Sequence, residues 1–265
     1  MNIGFIGAGA MAEALIRGLL SSKKYLPENI NCSDILPDRL EYIEKNYRVR
    51  GHKSNIDVVE LSEIIILAVK PNNIREVVEE IRDALTAEKT LISIAAGIST
   101  AFIEDLLEKE IPVVRAMPNT PCLIGEGITA LCTGKYAEKR HLEIASELFG
   151  TAGRAVELPE KLMNGATALS GSGPAYIYLI IEALVDAGVT IGLPRNTASD
   201  FVLQTVIGAA KMVSVTGEHP AVLKAKVMSP GGTTAAALKK LEDGEIRAVL
   251  MKAVEAAWEK AKELQ

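Results

Sequence analysis

The sequence is poor in residues that mark several specialised protein classes. Of its 265 residues, 4% are aromatic, 3 are cysteine and 3 are histidine. Cys32, Cys122 and Cys132 are far apart and form no CxxC pair, so we expect reduced thiols rather than disulfides or a zinc site. No histidine has a partner at metal-ligand spacing, and we expect no metal site. With so few aromatic side chains, the core has to be aliphatic.

The sequence also has no excess of basic residues. It contains 29 Lys and Arg against 34 Asp and Glu, a net charge of −5, so nucleic acid is not an expected partner. From Asn2 the chain runs straight into a strand pattern, without the features of a signal peptide. The longest uncharged stretch, Leu162 to Ile181, is interrupted by Asn164 and Pro174. We expect it to be a loop that runs into a helix of a cytoplasmic protein, and not a membrane span.

Short β-rich runs alternate with helical patterns over residues 1–159. Strands are expected at Ile3–Ile6, Ile30–Cys32, Ile64–Leu67, Thr90–Ile94, Val113–Val114 and Ile128–Leu131. This alternation is typical of buried parallel strands joined by crossover helices. After residue 160 apolar residues recur at helical spacing, ending in a helix predicted over Ile246–Leu264. The sequence predicts a doubly wound α/β domain over 1–159 and an all-helical domain over 160–265, with apolar surface for a second subunit.

A glycine-rich motif, Gly7-Ala8-Gly9-Ala10-Met11-Ala12, lies between the first strand and a helix predicted over Met11–Leu20. Gly7 permits a tight turn, Gly9 lets a pyrophosphate approach the backbone, and Ala12 takes the place of the third glycine. The helix N-terminus adds free amide hydrogens and the positive end of a dipole. This context favours a dinucleotide site over a tight turn without a ligand.

Ser33 and Asp34 follow the second strand about 20 residues beyond the motif, where an acidic group can bond the adenine ribose hydroxyls. Asp34 would repel the extra phosphate of NADPH and so favours NADH, but Arg39 is near enough in sequence to offset that repulsion. Asp34 is alternatively a turn or capping residue, and Lys70 is either a phosphate contact or a solvated charge. The coenzyme-binding candidates are Gly7, Ala8, Gly9, Ala10, Met11, Ser33, Asp34, Asn55, Ala68, Val69, Lys70, Pro71, Ala95, Ala96 and Gly97.

Two segments rich in Gly, Ser and Thr precede helices in the second half. Ser170–Pro174 precedes a helix predicted over Ala175–Ala187, and Ser229–Thr234 precedes one predicted over Ala235–Leu241. A glycine turn that leads into a helix exposes amide hydrogens, and nearby hydroxyls complete a pocket suited to a carboxylate. Each segment is either such an anion pocket or a simple helix cap.

Taken together, GAGAMA, AVKP, SIAAG, RAMPNTP, ALSGSGPAY and MSPGGTT occur in an order and spacing that resemble the pyrroline-5-carboxylate reductase family, from Ile3 to Leu264. The resemblance implies an N-terminal Rossmann-type domain, a helical dimerisation domain interlocked with its partner, and a homo-oligomer, often a decamer of five dimers. It also implies reduction of the cyclic imine 1-pyrroline-5-carboxylate to L-proline by NADPH or NADH, the last step of proline biosynthesis.

The resemblance also carries site residues over by position. It places substrate binding on Thr167, Ser229, Gly232, Thr233, Thr234 and Asn119. Thr234 would hydrogen-bond the ring nitrogen and is the catalytic candidate. A protonated imine is already a good electrophile, so no strong general base is required. Relatives that use NADPH often have hydroxyl or basic residues at Ser33 and Asp34, and this departure leaves the coenzyme choice open.

Two other functions fit part of the pattern. A β-hydroxyacid dehydrogenase uses a lysine and an asparagine one helical turn apart, the spacing of Lys161 and Asn164. The glycine-rich run that precedes the lysine in that family is replaced here by Glu157-Leu158-Pro159-Glu160. The other is a regulatory protein that binds NAD(P) without turnover, and the intact SPGGTT segment argues against it.

Overall fold

A computed structural model describes residues 1–263 and contains one sheet of eight strands. The strands are β1 (Ile3–Ile6), β2 (Ile30–Ser33), β3 (Arg50–His52), β4 (Ile64–Leu67), β5 (Thr90–Ser93), β6 (Val113–Met117), β7 (Gly127–Thr133) and β8 (Gly153–Glu157). Their order is β3-β2-β1-β4-β5-β6-β7-β8, and β6 and β7 form the antiparallel pair in an otherwise parallel sheet. The direction of winding reverses between β1 and β4, which is where open α/β sheets bind ligands.

The helices connect the strands of this sheet and then make up the second part of the chain. They are α1 (Ala10–Ser21), α2 (Pro37–Tyr47), α3 (Asn55–Glu60), α4 (Ile74–Ile81), α5 (Thr100–Leu107), α6 (Lys139–Gly150), α7 (Met163–Ala166), α8 (Gly173–Thr190), α9 (Arg195–Thr216), α10 (Pro220–Lys226), α11 (Thr233–Asp243) and α12 (Ile246–Glu263). The predicted fold class, a Rossmann-type α/β domain followed by an all-helical region, is confirmed. Leu264, the predicted end of the last helix, lies outside the described residues.

The chain forms two compact units. The N-terminal unit comprises residues 1–172 together with the end of the chain from Ala257, and the helical unit comprises residues 173–256. In the N-terminal unit, successive strand residues alternate between two apolar clusters. Phe5 and Ile66 pack with α1, α2 and α6, whereas Ile65 packs with α3, α4 and α5 on the other face of the sheet. The strands are therefore buried on both faces, which fixes the position of their carboxyl ends.

The strands β3 and β8 were not predicted from the sequence. Both lie at the outer edges of the sheet, where a strand has one neighbour and is partly exposed. Their sequences, RGH and GRAVE, lack the apolar run that marks a buried strand. Pairing with β2 and β7 determines them instead, because the backbone of these neighbours supplies the hydrogen bonds.

The segment before α8 is not the predicted loop. It is a short α-helix followed by a π-helical turn over Thr167–Gly171, which runs almost directly into α8. The hydroxyls of Thr167 and Ser170 donate to the carbonyls of Met163 and Ala166, at 2.9 and 2.8 Å. Ser172 N donates to Thr167 O at 2.9 Å, so that amide hydrogen is not free. These hydroxyls, which suggested a loop in the sequence, instead form hydrogen bonds to backbone carbonyls within the helical segment.

In the helical unit, α8 and α9 pack closely because small residues face each other. A side chain on Gly188 would come within 2.9 Å of Ala198 Cβ. Most apolar side chains of these helices nevertheless remain exposed, including Leu179 at 66% and Phe201 at 61%. Two helical stretches, Glu160–Thr190 and Arg195–Thr216, reach the length and hydropathy of membrane spans. A helix that packs against another protein chain can have the same length and composition.

Candidate functional site

The glycine-rich turn connects β1 to α1 in a conformation that requires glycine. Gly7 has φ of +96°, and a Cβ there would lie 2.7 Å from the carbonyl oxygen of Ala68. A Cβ at Gly9 would meet nothing within 4 Å, so the backbone faces open space at that point. Gly9 is also the N-cap of α1, and no side chain caps the helix. The first amide hydrogens of α1 are therefore available to an anion such as a pyrophosphate.

A cleft of about 480 Å³ adjoins this turn at the carboxyl edge of the sheet. The register places Ile6, Ser33 and Leu67 side by side at the ends of β1, β2 and β4. Seven coenzyme-binding candidates line the cleft, namely Gly7, Gly9, Asp34, Asn55, Ala68, Val69 and Lys70. The fold thus brings together residues that are more than sixty positions apart in the chain.

The remaining coenzyme-binding candidates lie around this cleft rather than on its wall. Ala8 is fully buried beneath the turn, and Ser33 is buried at the end of β2. Pro71 begins the short turn that follows Lys70. Ala95, Ala96 and Gly97 follow β5, which is the next strand beyond β4. Ala10 and Met11 form the first turn of α1.

A polar network extends from the end of β2 across the cleft. Ser33 Oγ donates to Asn55 Oδ1 at 2.7 Å, and Asn55 Nδ2 donates to Glu80 Oε2 at 2.7 Å. Asp34 accepts hydrogen bonds from the backbone amides of Ala8 and Leu36, at 2.7 and 2.9 Å. Asp34 therefore acts as a turn residue, the second of its two predicted roles, while its carboxylate also lines the cleft.

Sequence reasoning missed several residues of the cleft wall. Leu36 follows β2, and Asn73, Glu76 and Glu80 follow β4. The spacing of Glu76 and Glu80 places both on one face of α4, which is a usable signal. Nothing in the sequence says that this face borders the cleft, because the position of α4 depends on packing against α3 and α5.

Two of the motifs that carry the family resemblance meet in the N-terminal unit. Asn119, which follows β6, donates through Nδ2 to Ser170 O at 3.2 Å and accepts at Oδ1 from Ile128 N at 2.9 Å. A side chain on Gly171 would come within 2.9 Å of Met117 Cε. The fold thus joins the RAMPNTP segment to the π-helical turn that contains Thr167. Asn119 holds these two segments together because its side-chain nitrogen donates one hydrogen bond and its side-chain oxygen accepts another.

The other substrate-binding candidates lie in the helical unit, at the start of α11. Gly231 has φ of +71°, and Gly232 N donates to Ser229 O at 3.0 Å, which closes a tight turn. Gly232 is the N-cap of α11, and no side chain caps that helix. Thr233 and Thr234 are its first residues, so hydroxyls stand beside uncapped amide hydrogens. Uncapped amide hydrogens beside hydroxyls are the donors that an anion pocket needs, so the anion pocket stays a prediction for this turn.

The three cysteines offer no reactive thiol. All are free and buried, and burial raises the pKa of Cys32 and of Cys132 to about 12. Burial also raises the pKa of Cys122, which lies in the RAMPNTP segment. A thiol is nucleophilic as its thiolate, so none of these side chains is suited to covalent catalysis at neutral pH.

Family models match two parts of the chain. Residues 160–264 match the family described as pyrroline-5-carboxylate reductase dimerisation. Residues 2–97 match the family described as NADP oxidoreductase, coenzyme F420-dependent. The first match covers the segment predicted to be helical, and the second covers the glycine motif and most of the cleft wall.

Similar proteins match over essentially the whole chain. The pyrroline-5-carboxylate reductase of Methanosarcina acetivorans is 43% identical, over 99% of this chain and 97% of its own length. A solved structure of the Coxiella burnetii enzyme has a TM-score of 0.94 at 38% identity, covering 100% of this chain and 98% of that one. A solved Plasmodium falciparum pyrroline carboxylate reductase with NADP bound has a TM-score of 0.90 at 37% identity, with the same coverage. By sequence and by fold, this chain belongs to the pyrroline-5-carboxylate reductase family.

Proposed function

We propose that the protein reduces the cyclic imine 1-pyrroline-5-carboxylate to L-proline with NADH or NADPH, the last step of proline biosynthesis. The observation that carries the proposal is the whole-length identity of 43% to an enzyme named for this reaction. The same match favours this function over the hydroxyacid dehydrogenase and the regulatory protein. We further propose a division of labour in which residues 1–159 hold the coenzyme and residues 160–265 hold the substrate and the partner subunit.

The cleft fits a dinucleotide on structural grounds. Gly9 leaves open space at the turn, and α1 presents uncapped amide hydrogens to a pyrophosphate. Asp34 and Asn55 line the cleft at the end of β2, with Ser33 bonded to Asn55 behind them, and we propose that they hold the adenine ribose. Ala68, Val69 and Lys70 line the cleft after β4. When bound, the coenzyme supplies a hydride to the imine carbon. The chain's own part is to hold the coenzyme in one position and to exclude water from it.

On the substrate side, the turn that begins α11 performs two tasks. Uncapped amide hydrogens of Thr233 and Thr234, with the hydroxyl of Ser229, bind the substrate carboxylate. The Thr234 hydroxyl hydrogen-bonds the ring nitrogen and is the proposed catalytic group. Thr167 and Asn119 complete the substrate-binding set, with Asn119 holding the π-helical turn in place. A protonated imine needs no strong base, so positioning accounts for most of the rate enhancement.

A homo-oligomer is part of the proposal because α8 and α9 expose large apolar side chains over a segment that matches a dimerisation family. The smallest form we propose is a homodimer in which partner chains cover this surface. The larger form is a decamer of five dimers, which native mass spectrometry should detect. We place the protein in the cytoplasm with no nucleic acid or membrane partner, so cell fractionation should recover it in the soluble fraction.

The experiment that tests the proposed function is steady-state oxidation of NADH and of NADPH, run separately, with pyrroline-5-carboxylate as substrate. Turnover that yields proline supports the proposal. The ratio of the two kcat/KM values then measures the coenzyme preference, which we propose to favour NADH because of Asp34. Binding of a coenzyme without turnover would support the regulatory protein instead.

A further inference from the structure

Both backbone polar groups of Ala8, in the middle of the glycine turn, are held by side chains from the region that follows β2. Ala8 N donates to Asp34 Oδ2 at 2.7 Å, and Arg39 Nε donates to Ala8 O at 2.6 Å. Ala8 is itself fully buried. The residues next to the expected ribose position therefore also position the turn that would hold the pyrophosphate.

Arg39 makes a second interaction, with Glu13 in α1. Arg39 Nη2 forms an ion pair with Glu13 Oε2, and the two side chains are only 26% and 19% exposed. Tyr47 Oη also donates to Glu13, at 2.7 Å, and the Arg39 guanidinium lies over the ring of Tyr42. Burial raises the pKa of Glu13, but the hydrogen bonds from Arg39 and Tyr47 outweigh it and lower the pKa overall. Glu13 is therefore charged at neutral pH and holds the guanidinium strongly.

Arg39 lies next to the end of the cleft formed by Asp34 and Leu36, where the proposed ribose site would bring the group in which NADH and NADPH differ. It lines a cavity of about 390 Å³ together with Leu36 and Tyr42. Leu36 also lines the main cleft, so the two spaces are neighbours. Asp34 and Glu13 contribute two negative charges against the single positive charge of Arg39. A 2′-phosphate near Asp34 would therefore meet a cluster of Asp34, Glu13 and Arg39 that is net negative and in which Arg39 is already paired with Glu13.

We propose that Glu13 determines coenzyme selectivity through Arg39, by holding the guanidinium on the glycine turn and so disfavouring NADPH. Glu13 acts as a positioning residue, because Arg39 is the group that would meet the phosphate. The inference rests on the proposed function for its coenzymes. It differs from the role of Asp34, because it assigns selectivity to a helix α1 residue that does not line the cleft.

The test measures the Kd of NADPH and of NADH by fluorescence titration of the intact protein. Glu13→Gln removes the negative charge with little change of shape, so Arg39 can pair with the 2′-phosphate. We expect the affinity for NADPH relative to NADH to rise about tenfold. The double variant Glu13→Gln, Arg39→Gln should lose this gain, because it lacks the cation that would bind the phosphate.

Two control variants distinguish the change in coenzyme selectivity from a general loss of negative charge and from a loss of packing around Glu13. Glu147→Gln removes the same charge from a surface ion pair with Lys24, and it should leave the ratio of affinities unchanged. Tyr47→Phe removes one hydrogen bond to Glu13 but keeps the ion pair, and it should also leave the ratio unchanged. A loss of packing alone would lower both affinities together rather than change their ratio.

An unchanged ratio in folded Glu13→Gln would overturn the inference, and so would a gain that persists without Arg39. These outcomes differ from failure of the proposed function. If the unaltered protein binds both coenzymes but does not reduce pyrroline-5-carboxylate, the proposed function fails while the ratio still decides the role of Glu13. If it binds neither coenzyme, both proposals fail.

Discussion

The two compact units of the chain differ in how far their apolar residues are buried. In the N-terminal unit, the strands and the facing sides of the helices are almost completely buried within one chain. In the helical unit, residues 173–256 are all described, yet their buried apolar residues are Val185 and Ala198. Two of its helices, α8 and α9, reach the hydropathy of membrane spans and remain largely exposed.

The difference in burial indicates that the N-terminal unit can be stable without a partner chain. Burial of apolar surface is the main favourable term in folding, and the N-terminal unit obtains it from its own sheet and helices. The helical unit would obtain it from a partner chain, so we expect its stability to depend on protein concentration. The coenzyme cleft lies in the first unit, whereas the substrate-binding candidates are split, with Asn119 and Thr167 in the first unit and the Ser229–Thr234 turn in the second.

The largest effect is expected from a charge on the exposed apolar face of the helical unit. Leu179→Glu would place a carboxylate where we expect a partner chain, at a cost of several kcal/mol per protomer. Association should weaken by about a thousandfold or more, measured by sedimentation velocity. Leu26→Glu is the matched control on the surface of the N-terminal unit. Equal behaviour of the two variants would remove the contrast between the units.

The next largest effect concerns the buried ion pair of the N-terminal unit. Arg115 in β6 is 1% exposed and pairs with Glu160, which is 31% exposed. Glu160 also accepts from Thr100 N and Oγ1, at 2.8 and 2.6 Å. Arg115 pairs with Glu160 through Nη1 at 3.3 Å, and its buried Nη2 has no hydrogen-bond partner among the described residues. Glu160→Gln should therefore destabilise the protein by about 3–5 kcal/mol, because it leaves a buried cation unpaired. Arg115→Met should cost less, about 1–3 kcal/mol.

Urea unfolding measures this asymmetry directly. The double variant Glu160→Gln, Arg115→Met should be more stable than Glu160→Gln alone, because no buried charge remains. If Arg115→Met proved as damaging as Glu160→Gln, the hydrogen bonds from Thr100 would not support Glu160 as proposed.

A smaller effect is expected in the exposed turn of the helical unit. Thr234→Ala removes the proposed hydrogen bond to the ring nitrogen, and kcat should fall about tenfold. The Kd of the coenzyme should stay the same, because the cleft lies in the N-terminal unit. Thr216→Ala, at the end of α9, is the control. Unchanged steady-state kinetics in Thr234→Ala would remove this residue from the mechanism.

The smallest effect is a pH dependence confined to the N-terminal unit. Burial, with the nearby charge of Arg140, lowers the pKa of His141, whose Nδ1 accepts from Glu138 N at the start of α6. The unfolded chain therefore binds the proton more readily. The free energy of unfolding should fall as the pH drops through the ordinary histidine pKa of about 6.5 and below. The Tm should fall by a few degrees between pH 7 and pH 5.

Replacement of this histidine provides the check. His141→Asn should reduce the dependence of Tm on pH, because an asparagine oxygen at this third helical position can accept the hydrogen bond from Glu138 N without titrating. His219→Asn is the matched control, since His219 caps α10 in the helical unit and is exposed. A pH dependence that persists in His141→Asn would assign it to other groups.

Much of the N-terminal unit could be predicted because its signals are local. Strands β1, β2, β4, β5, β6 and β7 are apolar runs, and the helix after the glycine turn was predicted to within a residue at each end. The edge strands β3 and β8 could not be predicted, since they depend on pairing with neighbours. The π-helical turn was missed because serine and glycine are common in loops. In the structure, the hydroxyls of Thr167 and Ser170 bond to the carbonyls of Met163 and Ala166.

Six of the eight strands, the helical second half and the glycine turn at Gly7 could be predicted because each depends on residues that are close together in the chain. The family was indicated by six short motifs spread from Ile3 to Leu264. The hydrogen bond from Ser33 to Asn55, the contact of Asn119 with the π-helical turn, and the ion pair of Arg39 with Glu13 depend on how the chain packs. Such contacts form between elements far apart in sequence, and packing of the sheet and helices sets their distances. Composition and periodicity contain no such information.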